Sequence, residues 1–231
     1  MRVIVTGGAG FIGSHLADRL VGRGDEVHVV DDLSSGSRAN VPAGARLRVR
    51  DIREPLDELL QELRPDAVAH LAAQVDVRVS VAEPERDAAV NVLGTVNVLE
   101  AARLVGARVV LTSTGGAIYG ECDRPAAEND PRLPLSPYGA SKLAAEEYLA
   151  TFARLYGTAH TALRLGNVFG PRQDPHGEAG VVAIFFGRLH ARQPCRIYGD
   201  GRQTRDYVYV ADVVDALVAA LDRDTSGTFN V

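Results

Sequence analysis

The stretch VIVTGGAGFIGSHL, residues 3–16, constrains this chain more than any other. An apolar run closes on glycines and passes directly into an amphipathic segment, the pattern of a strand that turns sharply into a helix. Gly7, Gly10 and Gly13 stand at the turn, and Gly8, Gly10 and Gly13 also satisfy G-x-G-x-x-G. Glycine permits the tight turn and lets backbone N–H groups at the helix start, with Phe11 and Ile12 between the glycines, reach a pyrophosphate. About 18 residues on, the next apolar run ends in VVDD, which sets Asp31, followed by Asp32, where a carboxylate accepts from an adenosine ribose 2′-hydroxyl. A carboxylate there repels a 2′-phosphate, so the reading is NAD rather than NADP. The competing reading is a purely structural turn beside a solvated acid.

Downstream, short β-branched runs alternate with Ala/Leu-rich stretches of helical length, which predicts βαβ units and a parallel sheet. Strands are expected at 2–6, 26–31, 47–50, 67–71, 108–112 and 160–164, and helices at 10–23, 55–63, 84–104, 138–156, 181–191 and 210–221. The fold class is α/β, a Rossmann-type doubly wound parallel sheet. Residues 1–165 are expected to form the NAD-binding domain. Residues 166–231 are expected to form a small, truncated substrate-binding region interleaved with it. Loops at 125–137 and 171–180 are expected to overhang the strand ends, where such sheets bind ligands. The net charge of −5 offers no basic footprint for nucleic acid. Two cysteines are too few for a disulfide framework, the longest apolar runs are far short of a membrane span, and the chain opens on a strand rather than a signal peptide. A cytosolic location is the expectation.

A second pattern is SPYGASKLAAEEY, which sets Tyr138 and Lys142 four residues apart at the start of a helix. On one helical face, an ammonium stabilises a phenolate and lowers the tyrosine pKa toward a working pH. Taken alone, Tyr-x-x-x-Lys is common on exposed helices.

TGGAGFIG, Asp51–Ile52, HLAAQ at 70–74, NVLGT at 91–95, YGASK, GNVFGPRQ and GDGRQTRDYVYV occur here in order. With them the chain resembles the extended short-chain dehydrogenase/reductase family along nearly its whole length. Within that family it is most similar to the nucleotide-sugar 4-epimerases, those of UDP-glucose and UDP-galactose above all. The resemblance implies a tightly held NAD, a Tyr138 base supported by Lys142, a UDP-sugar across the strand ends, and a homodimer built on a four-helix interface. It also implies NAD contacts at Asp51, Ile52, Leu71, Ala72, Ala73, Gln74, Asn91 and Ser113, and a nucleotide diphosphate held by Asn167 and Arg205.

In LTSTGGAIYG, residues 111–120, relatives that dehydrate or decarboxylate carry an acid where this chain has Gly116 and Ala117. C4 epimerisation needs no such acid. The pattern usually has Ser or Thr four residues before the tyrosine that matches Tyr119, and here that residue is Gly115. Thr114 is the expected substitute, its backbone shifted by the two glycines, with Ser113 next; both could instead only satisfy local backbone groups. His70 is expected to be buried and hydrogen-bonded, and His15, His28, His160, His176 and His190 show no metal-ligand spacing. DPHGEAG, at 174–180, is expected to be a substrate-side loop. The alternatives left open are a 4-epimerase of UDP-glucuronate or a deoxythymidine diphosphate sugar, an oxidoreductase of the same fold, and an NAD-binding scaffold without catalysis.

Overall fold

Strands that are apolar on both faces need cover on both, and here helices supply it. The computed structural model describes residues 1–175 and 180–231. The elements are β1 (Arg2–Thr6), α1 (Phe11–Arg23), β2 (Glu26–Asp31), β3 (Arg46–Val49), α2 (Asp57–Leu63), β4 (Ala67–His70), α3 (Val77–Ala82), α4 (Pro84–Ala88) and α5 (Gly94–Val105). They continue with β5 (Arg108–Thr114), α6 (Gly115–Ile118), α7 (Pro137–Tyr156), β6 (Thr161–Leu165), β7 (Asn167–Phe169), α8 (Val181–His190), β8 (Tyr207–Tyr209), α9 (Val210–Asp222) and β9 (Gly227–Asn230).

Seven strands form one parallel sheet in the order β3-β2-β1-β4-β5-β6-β9. On one face Ile4, Val68, Val109 and Leu111 pack against Leu60, Leu99 and Leu149 of α2, α5 and α7. On the other, Val5, Ala69 and Val110 meet Leu16 of α1 and Leu217 and Leu221 of α9. The strand order reverses between β1 and β4, so a crevice opens at the carboxyl ends of these strands, the place where such sheets bind ligands.

The expected Rossmann sheet is present, with differences that carry weight. Strand β9 was not anticipated; it pairs with β6, and with α9 it completes the sheet layer. Between them β7 and β8 form a separate parallel pair. The single helix expected over 84–104 is α4 and α5 joined by a π-helical turn at Ala89–Leu93. Pro84–Val105 as a whole is long and apolar enough to cross a membrane by length and composition, which amends the expectation of short apolar runs. Val98, Leu99, Ala101 and Ala102 on it are core residues against the sheet. Residues 176–179, within the expected substrate-side loop and including His176, lie outside the described residues.

Candidate active site

A cleft of about 880 Å³ runs along the carboxyl ends of the strands, and it gathers most of the residues singled out in the sequence. Gly7, Gly10, Phe11, Ile12, Gly13, Asp31, Asp32, Asp51, Ile52, Leu71–Gln74, Ser113, Thr114, Tyr138 and Lys142 all line it.

Its floor is the first glycine turn. Gly7 has φ of +69°, and a Cβ there would lie 2.7 Å from the Ala72 nitrogen. Glycine is therefore needed both for the left-handed backbone and for the close approach of the chain after β4. A Cβ on Gly13 would run into the Gly7 carbonyl. Helix α1 begins at Gly10 with no side-chain cap and no acid in its first turn, which leaves its N–H groups and the positive end of its dipole to an anion. Asp31, at the tip of β2, accepts from Ala9 N–H at 2.9 Å through Oδ2 and from Leu33 N–H at 2.9 Å through Oδ1. The carboxylate thus braces the glycine turn, and each oxygen keeps lone-pair capacity for a hydroxyl donor. Asp32 accepts from the Ser34 N–H and hydroxyl. Asp51 is held by Arg53, whose hydrogen bonds keep its carboxyl below the usual aspartate value.

Behind the cleft lies a buried relay. Thr95 Oγ1 donates to the Asn91 carbonyl (2.7 Å) and so accepts from His70 Nε2 (3.0 Å), which leaves His70 Nδ1 to accept from Thr6 Oγ1 (2.7 Å). Thr6 Oγ1 in turn accepts the Leu71 and Ala72 N–H groups. Burial pushes His70 down to about 3, so the ring is neutral and structural, in line with the sequence reading. Asn91, expected to touch the cofactor, is not among the residues that line the cleft; its side chain bonds the backbone of Gln74, which does. It is 2% exposed, lies in the π turn, and accepts from Gln74 N–H (2.8 Å) and donates to the Gln74 carbonyl (2.9 Å).

Ser136 caps α7 by accepting from Gly139 N–H, and Pro137 follows at its first position. Tyr138 and Lys142 then share a face one turn apart, both lining the cleft. Lys142 is buried, and desolvation lowers its pKa to about 8, opposed by Glu146 and Asp87. It is the only lysine in a chain with 25 Lys and Arg residues. That signal was legible in the sequence and was missed: where arginine serves every other cationic position, the exception marks a place that needs a compact ammonium with a movable pKa. Glu146, one turn further, is locked to buried Arg164 by contacts of 2.7–3.2 Å. Arg164 also donates to Tyr119 Oη at 2.6 Å, which makes Tyr119 a structural residue.

The hydroxyl loop departs from expectation. Thr112–Thr114 belong to β5, and Gly115 and Gly116 enter α6 without positive φ, so the glycines do not shift the backbone to present Thr114. Side chains alternate along a strand, so Ser113 shares the face of Val109 and Leu111 that α7 covers, whereas Thr114 shares the opposite face with Val110. Ser113 Oγ is buried with no hydrogen-bond partner among the described residues. Ser113 thus lies on the face that α7 covers and Thr114 on the other, and both line the cleft with Tyr138. A Cβ on Gly116 would meet only Thr114 Oγ1 (3.9 Å) and Asn167 Nδ2 (4.0 Å), so its missing side chain leaves space between those two polar groups. Asn167 on β7 donates to the Asp206 carbonyl at 3.2 Å, and Arg205 is exposed with a bond to the Thr204 carbonyl; neither lines the cleft.

Residues 3–231 match the family described as the NAD dependent epimerase/dehydratase family. The chain is 50% identical over 228 residues to a UDP-glucose 4-epimerase of Mycolicibacterium smegmatis, covering 95% of this chain and 73% of that protein. The crystal structure of UDP-glucose 4-epimerase with UDP-glucose from Thermotoga maritima superposes with a TM-score of 0.97 at 47% identity, covering 100% of this chain and 76% of that one. The Thermus thermophilus UDP-glucose 4-epimerase complex with NAD gives 0.95 at 49% identity, covering 100% and 77%.

Proposed function

The chain belongs to the NAD-dependent epimerase/dehydratase family, and from that premise we propose that it interconverts UDP-glucose and UDP-galactose by epimerisation at C4. The residues present fit NAD: Gly7 and Gly13 of the cradle admit no Cβ, the α1 N-terminus is free for a pyrophosphate, and the Asp31 carboxylate suits a 2′-hydroxyl. When bound, NAD supplies reversible hydride acceptance at the sugar C4.

The protein's own part is proton handling and positioning. Tyr138 takes the proton of the 4-hydroxyl and returns it, with the Lys142 ammonium beside it favouring the phenolate. Ser113 bridges sugar and phenol, in preference to Thr114. No carboxylate stands at Gly116 or Ala117, which leaves elimination and decarboxylation without their acid and supports epimerisation. Asn167, on β7, and Arg205, just before β8, hold the diphosphate from outside the lining of the cleft, an arginine being suited to phosphate oxygens. The observation that carries the reading is half-buried Tyr138 one turn from buried Lys142, both lining one cleft with the glycine cradle, since a binding scaffold needs no such pair.

The same reading takes the protein to be a cytosolic homodimer. Exposed Leu93 of the π turn, Leu104 of α5, and Tyr148 and Leu155 of α7 support the dimer, and free Cys122 and Cys195 suit a reducing compartment. Incubation with UDP-galactose and no added cofactor should yield UDP-glucose, with NAD released on denaturation. Strict dependence on added NADP, or net reduction of the cofactor with turnover, would refute it.

A further inference from the structure

Asp87 is a buried carboxylate that the reaction as described does not use. It lies on α4 and is 1% exposed. Its Oδ1 accepts from Gln74 Nε2 (2.8 Å) and Asn91 Nδ2 (3.1 Å), whereas Oδ2 is buried with no hydrogen-bond partner among the described residues. A buried carboxylate oxygen without a donor is costly unless a positive charge compensates it nearby.

Helix α7 packs against α4 and the π turn, and the connection is bonded: Asn91 Nδ2 lies 3.1 Å from Ser141 Oγ, which donates to the Tyr138 carbonyl at 3.0 Å. Ser141 precedes the buried Lys142. Tyr138 and Glu146 share α7 with Lys142, and Arg164 of β6 occupies both oxygens of Glu146. His70, ending β4, is held neutral by burial. Asp76 caps α3 and pairs with Arg78, and Arg86 on α4 pairs with Glu83. Asp87 is the buried carboxylate here with an oxygen to spare.

We propose that Asp87 is a positioning residue: the buried counter-charge that holds Lys142 as an ammonium beside Tyr138, while its other oxygen fixes the Leu71–Asp76 loop through Gln74. It deepens the epimerase reading and rests on it for why an ammonium is needed. The balance of effects on Lys142 agrees, since desolvation draws it down to about 8 against the pull of Glu146 and Asp87. With the Asp87 charge removed, desolvation is less opposed and Lys142 loses its proton at lower pH.

Because Lys142 is the only lysine in the sequence, protein labelled with ¹³C at lysine Cε gives one lysine side-chain signal whose pH titration reads Lys142 alone. The midpoint should fall near pH 8 in the parent and about one pH unit lower in Asp87→Asn, the low end for one nearby opposite charge. Gln74→Ala, which loosens the loop and keeps the charge, should leave the midpoint close to the parent's. If Asp87→Asn does not fold, Asp87→Ser is titrated in its place. An unchanged midpoint on loss of the Asp87 charge, or an equal shift in Gln74→Ala, overturns the proposal. The titration needs neither sugar nor turnover, so a failed epimerase assay and a failed counter-charge remain distinguishable.

Discussion

The two sides of the cleft are built in different ways. On the cofactor side, position follows from backbone: Gly7 at positive φ against Ala72, an uncapped α1, Asp31 tied to Ala9, and the Thr6–His70–Thr95 relay beneath. On the side proposed for the sugar, Asn167 and exposed Arg205 sit on or beside a two-stranded pair, and α8 has no buried residue. The first side is set before a ligand arrives, so its energy goes into holding geometry. The second is fixed by few bonds among the described residues, so its contribution is made on binding. A substitution should therefore be all-or-nothing on one side and graded on the other.

The largest effect is expected at Gly13→Val, whose branched side chain would collide with the Gly7 carbonyl and close the turn. NAD retention, read as cofactor released on denaturation, should vanish; a variant that still purifies with NAD would break the contrast. Next is Tyr138→Phe. It should lower kcat by roughly 10³-fold with NAD content unchanged, within the range for losing a positioned proton-transfer group.

A smaller step separates the two hydroxyls. Ser113→Ala should cost roughly 10²-fold in kcat and Thr114→Val clearly less. The reverse order would return the role to Thr114 and show that strand alternation does not decide at the tip of β5. The smallest effect is expected at Arg205→Ala, which should raise KM about tenfold and leave NAD content and the melting temperature unchanged, because one exposed charge contacting a phosphate is worth on the order of 1.4 kcal/mol. An NAD loss there would erase the distinction between the sides.

The same division explains what the sequence disclosed. The glycine turn, Asp31 and the six main strands were legible because backbone geometry and two-sided burial dictate residue type at fixed spacing. Strand β9, GTFN, was not: four residues, one of them Gly227 at φ +146°, carry too little pattern, and their pairing with β6 is a long-range event. The π turn was hidden because its sequence, AVNVL, reads as ordinary helix, and with it went the burial of Asn91. Asp87 drew no reading from PERDA, although an acid four residues before Asn91 on the buried side was the available signal. The choice between Ser113 and Thr114 depended on which face α7 covers, which no local pattern states.

The most direct test of the central claim follows one atom. UDP-galactose carrying deuterium at C4 is converted in ordinary water with excess unlabelled NAD present, and the UDP-glucose formed is examined by mass spectrometry and NMR. Retention of the deuterium at C4, on the opposite configuration, is the predicted result, because the hydrogen leaves and returns within one cleft. Its loss to water or to the added cofactor, or its retention with no change at C4, would contradict the account.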